Sequence, residues 1–220
     1  MEIARAAAGL FVSRGLKATR AEDIAQAAGI APRTFYRYFA TKEEAVAPLY
    51  AAGAQRWAEA VREAPAELTV PEALEHAVRH TLVPGRGVSA ASWEWVRTLI
   101  RLAGTSPALG KVWAEVCHTS EATLMEVLAE RTAASSRTPA SDVTSAAAPD
   151  VTSAAASDNV ASPCQRFTAA VAGAAVRVAV ESWAVTDSPP AGRQGPAELA
   201  LRNLRALHGF AWEEGPAEEA

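Results

Sequence analysis

Apolar positions recur at helical rather than strand spacing along most of the chain. Ile3, Ala7, Leu10 and Phe11 fall at i, i+4, i+7 and i+8, one face of a helix over Glu2–Ser13. Gly15 ends that helix. Thr19 reads as the N-cap of a second helix, with Glu22 three residues on to complete a capping box. Ile24, Ala25 and Ala28 form its inner side, and it stops at Gly29. Pro32 suits the first turn of a third helix reaching Phe39. Thr41 is placed to cap a fourth helix running through Trp57 to Glu63, with Pro48 a point of kink or break. Thr69 opens a fifth helix that ends near Leu82, and the turn signals at residues 84–87 separate it from a sixth over Ser89–Ala103. A seventh starts at Pro107 and reaches about Arg131, and two more span Pro163–Thr186 and Pro196–Trp212. Alternating runs of Val, Ile, Thr and Tyr are scarce. The pattern predicts an all-α fold.

One stretch breaks the pattern. Residues 132–162 are almost entirely Ala, Ser, Thr, Asp and Pro, with DVTSAAA at Asp142–Ala148 repeated at Asp150–Ala156. Such a tract buries too little apolar surface to offset the entropy of ordering it, so a disordered linker is expected. The acidic tail Glu213–Ala220 reads as frayed.

Composition sharpens this picture. Half of the 220 residues are hydrophobic and 6% are aromatic. About a quarter are alanine, the strongest helix former. The formal charge of −4 divides into +2 over residues 1–50 and −6 over the rest. A basic head on an acidic body suggests two tasks, and the acidic total weighs against indiscriminate coating of nucleic acid. Cys117 and Cys164 form neither a disulfide framework nor a metal cluster, which points to a reducing, cytoplasmic setting. No apolar run is long enough to span a bilayer, so no membrane partner is expected.

Function is concentrated in 19–42, TRAEDIAQAAGIAPRTFYRYFATK. A helix, a turn at Gly29-Ile30-Ala31 and a second helix match a helix-turn-helix. Phe35 and Phe39 point inward, while Arg33, Tyr36 and Arg37 share the opposite face. Guanidinium groups read guanine edges or clamp phosphates, a tyrosine hydroxyl donates to phosphate, and Thr34 suits a base edge or a thymine methyl. Lys42 is placed to reach the backbone. Tyr38 reads as half-buried core.

Residues 3–50 resemble the DNA-binding head of the tetracycline-repressor (TetR) family of bacterial regulators. The resemblance lies in the sixth-to-eleventh-residue run ending Gly-Leu-Phe, in Gly15, Thr19, Asp23-Ile24-Ala25 and Ala28-Gly29-Ile30, then in Thr34 to Phe39 and Lys42-Glu43. It implies a helix-turn-helix head (1–46) on a ligand-binding and dimerising body (47–220, with the 132–162 insert). It further implies a homodimer whose hold on a palindromic double-stranded operator changes when a small molecule binds. Carried over by position, Thr19 and Arg20 begin the helix that abuts the DNA backbone. Arg33, Thr34 and Arg37 face the groove, and Tyr36 and Lys42 meet phosphates. Ala31 stands where the family often has Ser or Thr, so the third helix lacks a side-chain N-cap. The first helix starts too early for a basic arm, and minor-groove contacts from one are not expected. Thr98–Arg131 is similar to members described as binding acyl-CoA-like ligands, in particular the mycofactocin-type subgroup.

In the body, Trp93, Val96, Leu99, Ile100 and Ala103 form one helical stripe, Trp113, Val116, Cys117, Leu124 and Val127 a second, and Phe167, Val171, Ala174, Val178 and Trp183 a third. All six tryptophans lie outside the head. An apolar effector pocket is therefore expected around Trp57, Trp93, Leu99, Trp113, Cys117, His118, Phe167, Val171 and Trp183. Cys117 reads as an ordinary buried thiol. Ala170, Ala174, Val178, Leu199, Leu204 and Leu207 are the expected dimer contacts through the last two helices. No nucleophile elbow, phosphate loop or metal-spaced set of His, Cys, Asp and Glu is present. The expectation is a non-enzymatic regulator without metal or cofactor, most simply a repressor. The alternative is an architectural or activator-type DNA-binding protein without an effector.

Overall fold

The structure, a computed structural model, describes residues 1–85, 90–135 and 162–207. Every regular element among them is helical: α1 (Glu2–Arg14), α2 (Ala21–Ala27), α3 (Pro32–Tyr38), a 3₁₀ turn (Glu44–Val46), α4 (Ala47–Arg62), α5 (Val70–Thr81), α6 (Ala90–Thr105), α7 (Pro107–Ser135), α8 (Pro163–Ala184) and α9 (Pro196–Arg205). Most of the expected insert, the residues after Leu207 and the second half of the 84–87 loop lie outside the described residues. Helix α7 runs to Ser135, one turn past the expected end.

Local chemistry fixes most boundaries. Thr69 and Glu72 form a capping box at α5, the Thr69 N–H donating to Glu72 Oε2 at 2.9 Å. Ser162 and Gln165 do the same at α8: Gln165 N–H donates to Ser162 Oγ at 3.1 Å, and Ser162 N–H to Gln165 Oε1 at 2.9 Å. Gly29 sits at φ 67°, the left-handed conformation that the α2–α3 turn requires. Two expected starts are displaced. The N-cap of α2 is Arg20, whose N–H donates to Asp23 Oδ2 at 2.8 Å, because the Thr19 side chain is used inside the head. After α3 the chain makes a turn capped by Thr41, whose Oγ1 accepts from Glu44 N–H at 3.3 Å. Helix α4 follows, and Pro48 lies in its first turn, where it breaks no hydrogen bond and produces no kink.

Two apolar cores hold the helices together. The first contains Phe11, Ile24, Phe35 and Val46 of the head together with Trp93, Leu99, Ile100, Leu109 and Trp183 of the body. The second joins Trp57, Val61, Leu74, Val78, Leu124, Leu128, Ala172, Leu201 and Leu204, from α4, α5, α7, α8 and α9.

Helix α6 braces the first core against the end of α8. Trp93 and Trp183 meet edge to face, their centroids 5.4 Å apart. Arg97 lies over the Trp183 ring at 4.4 Å and donates to the Ser188 carbonyl. Arg101 donates to the carbonyls of Ala184 and Thr186 and to Asp187 Oδ1, the last at 2.8 Å. Arg101 thus caps the last carbonyl of α8 at the negative end of its dipole, while Arg97 holds the chain that follows it. At the far end Arg131 donates to the carbonyls of Ala64 (2.7 Å) and Pro65 (2.9 Å), pinning the α4–α5 loop to α7.

Trp183 is fully buried, and its indole N–H donates to the Ser188 carbonyl at 3.0 Å. Trp183→Ala is expected to lower unfolding free energy by about 3–5 kcal/mol in urea titrations, the range for large-to-small changes in a packed core.

Candidate nucleic-acid interface

Helix α3 is seven residues long and two-sided. Phe35 is fully buried and packs against Phe39, ring centroids 5.5 Å apart. These rings fix the rotation of the helix, so Arg33, Tyr36, Arg37 and Tyr38 are all exposed and Thr34 is half-buried. Arg20 is exposed at the start of α2. Among the sequence-expected DNA residues, Arg20, Arg33, Tyr36 and Arg37 thus present polar groups at the surface of the head, with Thr34 partly covered.

Two expected residues do something else. Thr19 is 1% exposed, and its hydroxyl donates to the Gly15 carbonyl at 2.9 Å. A hydroxyl committed inside the head cannot touch a phosphate. Lys42 is half-buried, and its Nζ donates to the carbonyls of Leu16 (2.7 Å) and Thr19 (2.8 Å). It stitches the α1–α2 turn to the segment after α3. Its first role is to hold the head together, since two of its three donors are occupied there.

Two residues escaped the reading of the sequence. Tyr38 is 61% exposed rather than half-buried. Its hydroxyl accepts from Arg37 Nη2 at 3.2 Å, and the Arg37 guanidinium lies 5.0 Å from its ring centroid. Tyr38 therefore orients Arg37; the periodicity hid this because Tyr38 stands one turn after the buried Phe35. Glu22, expected in a capping box, accepts from the Tyr36 hydroxyl at 3.1 Å. That hydrogen bond, with the charge of the carboxylate, holds the Tyr36 phenol above its ordinary pKa. The Tyr36 proton points at Glu22 and must turn to reach a phosphate. No sequence signal marks this pair, which spans two helices.

The body rearranges the expected pocket. Trp57 belongs to the second core, whereas Trp93, Leu99 and Trp183 belong to the first, with Trp113 packed against it. Trp113 donates its indole N–H to Glu181 at 2.7 Å. The His118 side chain is 90% exposed, and Phe167 is 57% exposed. These residues do not enclose one cavity. Of the expected stripe on α8, only Trp183 faces inward. The inner face of the helix is Thr168, Ala172, Ala175, Ala179 and Trp183, while Phe167, Val171, Ala174 and Val178 look away from that face. Helix α8 is apolar over most of its circumference, with Arg166, Arg177 and Glu181 confined to one narrow side, so periodicity alone could not say which apolar side faces in. Burial pushes the Cys117 thiol up to about 12, which keeps it protonated and unreactive at neutral pH. Among the dimer residues expected, Leu204 is buried in its own protomer's second core. Val178 is exposed, and Ala170, Ala174, Leu199 and Leu207 are half-buried.

The cavity that does form is a half-open groove of about 230 Å³ between α4 and α7. It is lined by Glu44, Ala47, Ala51, Ala54, Gln55, Val112, Glu115, Val116, Thr119, Ser120 and Thr123, none of them expected from the sequence. Among the described residues no three His, Cys, Asp or Glu side chains gather as a metal site, and no helix is long and apolar enough to cross a membrane.

Lys42→Met removes both stitches of the head. It is expected to lower stability by about 1–3 kcal/mol in denaturant titrations, the range for charge-assisted hydrogen bonds.

Comparison with known proteins agrees with this geometry. Residues 3–47 match the family described as bacterial regulatory proteins, tetR family. Over 45 residues, 20% of this chain, the sequence is 49% identical to the HTH-type transcriptional repressor KstR2 of Mycobacterium tuberculosis. That match spans 22% of KstR2. The whole fold resembles that of Thermus thermophilus FadR, a TetR-family transcriptional repressor solved with lauroyl-CoA. The TM-score is 0.58, with 22% identity, covering 100% of this chain and 98% of FadR. It also resembles the TetR-family repressor AlkX of Dietzia sp., implicated in n-alkane biodegradation. There the TM-score is 0.55, with 18% identity and 96% of each chain covered.

Proposed function

We propose that this chain, whose head belongs to the tetR family of bacterial regulatory proteins and whose fold is that of TetR-family repressors, is a homodimeric repressor of a palindromic operator, released by a small effector held in its body. The observation that carries this reading is the outward face of α3. Arg33, Tyr36 and Arg37 stand exposed there on a helix whose other side is anchored by Phe35 and Phe39. In a major groove, Arg33 and Arg37 are assigned to base edges or flanking phosphates and Thr34 to a base edge. Arg20 and Tyr36 are assigned to phosphates. Residues 1–46 are taken as the reading head and 47–220 as the body.

The α8 stripe Phe167, Val171, Ala174 and Val178 supports a twofold contact with a second copy. Its spacing of four, three and four residues draws one apolar line along the helix. Small Ala170 and Ala174 beside it permit close helix approach. Leu199 and Leu207 of α9 complete that surface. A twofold pair places two recognition helices about 34–36 Å apart, one turn of DNA. Release is a population shift: the effector lowers operator affinity by the difference in its affinity for the two states. The body's described cavity has a largely apolar floor, and its charged lining residues are Glu44 and Glu115. Those charges do not suit the phosphates of an acyl-CoA-like ligand.

Selection from random DNA identifies the operator, and gel shifts then test the face. Arg37→Ala is expected to weaken operator binding about 10–100-fold, the worth of a well-placed bidentate contact, while sedimentation shows the dimer intact. Unchanged affinity would remove α3 from the interface. Val178→Arg places a charge at the exposed end of the apolar stripe, and sedimentation is expected to show monomers of unchanged helicity. A dimer that survives Val178→Arg would move the contact elsewhere.

A further inference from the structure

The groove between α4 and α7 has a chemistry of its own. Its floor is methyl groups, with Ala47, Ala51 and Ala54 facing Val112 and Val116. No Lys, Arg or His is among its lining residues, but two carboxylates are. The N-terminus of α4, at Ala47, contributes roughly half a positive charge. The full negative charge of Glu44, just before it, outweighs that. Glu115 already meets an ammonium, Lys111 Nζ at 3.7 Å. That side chain is 77% exposed, and so open a pair is readily exchanged for another cation.

Glu44 also connects the groove to the DNA-reading helix. Its Oε2 accepts from the Ala40 N–H at 2.9 Å, two residues after α3 ends at Tyr38. One carboxylate therefore lines the cavity and holds the exit of α3.

We propose that this groove binds a small organic cation with an apolar tail, whose ammonium competes with the Ala40 N–H for Glu44 and loosens the exit of α3. The binding site stands on the groove itself; its effect on DNA rests on the repressor reading above. The apolar tail covers the alanine and valine floor, where burial is favourable. The ammonium sits with the Glu44 and Glu115 carboxylates. Losing the Glu44 acceptor leaves the Ala40 amide without its partner, so the bound state favours a repositioned α3. Neutral and anionic analogues of the same length gain the floor without the charge.

The test uses the full chain and three probes of one chain length: octylammonium, octan-1-ol and octanoate. In calorimetry, octylammonium is expected to bind at least about tenfold more tightly than the other two, as two partly exposed ion pairs allow. Glu115→Gln and Glu44→Gln are each expected to weaken it at least about threefold. Glu44→Gln keeps a carbonyl oxygen for the Ala40 N–H, so the head stays folded by circular dichroism, and its own operator Kd without ligand is the reference for that variant. Equal binding of octanoate or octan-1-ol, or unchanged octylammonium binding in both variants, overturns the site. In anisotropy with the selected operator, octylammonium is expected to raise the Kd for DNA at least about threefold for the native chain and not for Glu44→Gln. Carboxylate-dependent binding with an unmoved operator Kd overturns the route through Glu44 and leaves the cation site standing. If no operator is selected, the repressor reading fails, and calorimetry alone decides the site.

Discussion

The core of the head is continuous with that of the body, and that constraint organises the rest of the molecule. Helices α2 and α3 have seven residues each, too short to hold helical structure without tertiary packing. Phe11, Ile24 and Phe35 are buried in one apolar cluster that continues into Trp93, Leu99 and Trp183. The head is thus built on α6, and α6 is built on the end of α8 through Arg97 and Arg101. A change in how α8 or α7 sits is felt in the core that sets the rotation of α3.

The polar contacts of the head follow the same logic. Lys42 joins the turn before α2 to the segment after α3, and Thr19 closes the turn from inside. Asp23 caps α2, which frees Glu22 to hold Tyr36. Side chains that look like a row of DNA contacts therefore divide into a structural set, Thr19 and Lys42, and an outward set, Arg20, Arg33, Tyr36 and Arg37. The division is physical: the Thr19 hydroxyl proton and two of the three Lys42 donors are committed at 2.7–2.9 Å to the protein's own carbonyls.

Much of this was legible in the sequence. Helix periodicity and the caps at Thr69 and Pro32 placed the elements, and the Thr19–Lys42 string identified the reading helix. Facing was legible only where a helix has one polar side, as α3 does. Helix α8 is apolar over most of its circumference, so of its expected inward stripe only Trp183 faces in, and Phe167 was expected in a pocket. His118 and Leu204 show the same limit from opposite directions, one exposed where a ligand contact was expected and one buried where a partner was. The pairs that tune the interface, Glu22 with Tyr36 and Lys42 with Leu16, join residues 14 and 26 positions apart. Such pairs arise from tertiary approach and leave no local signature.

The link from α3 to the body has a mechanical meaning. Only residues 39–46 lie between α3 and α4, and Ala45 and Val46 are fully buried in the shared core. This is a plug, not a tether. Each head is geared to its own body, so in the proposed dimer the spacing and relative twist of the two heads would be set by the state of the bodies. On B-form DNA one inserted base pair moves a half-site by roughly 3.4 Å and rotates it by roughly a tenth of a turn. A rigidly geared pair cannot follow both displacements at once. On the proposed dimeric reading, such a protein would measure the distance between half-sites as well as their sequence.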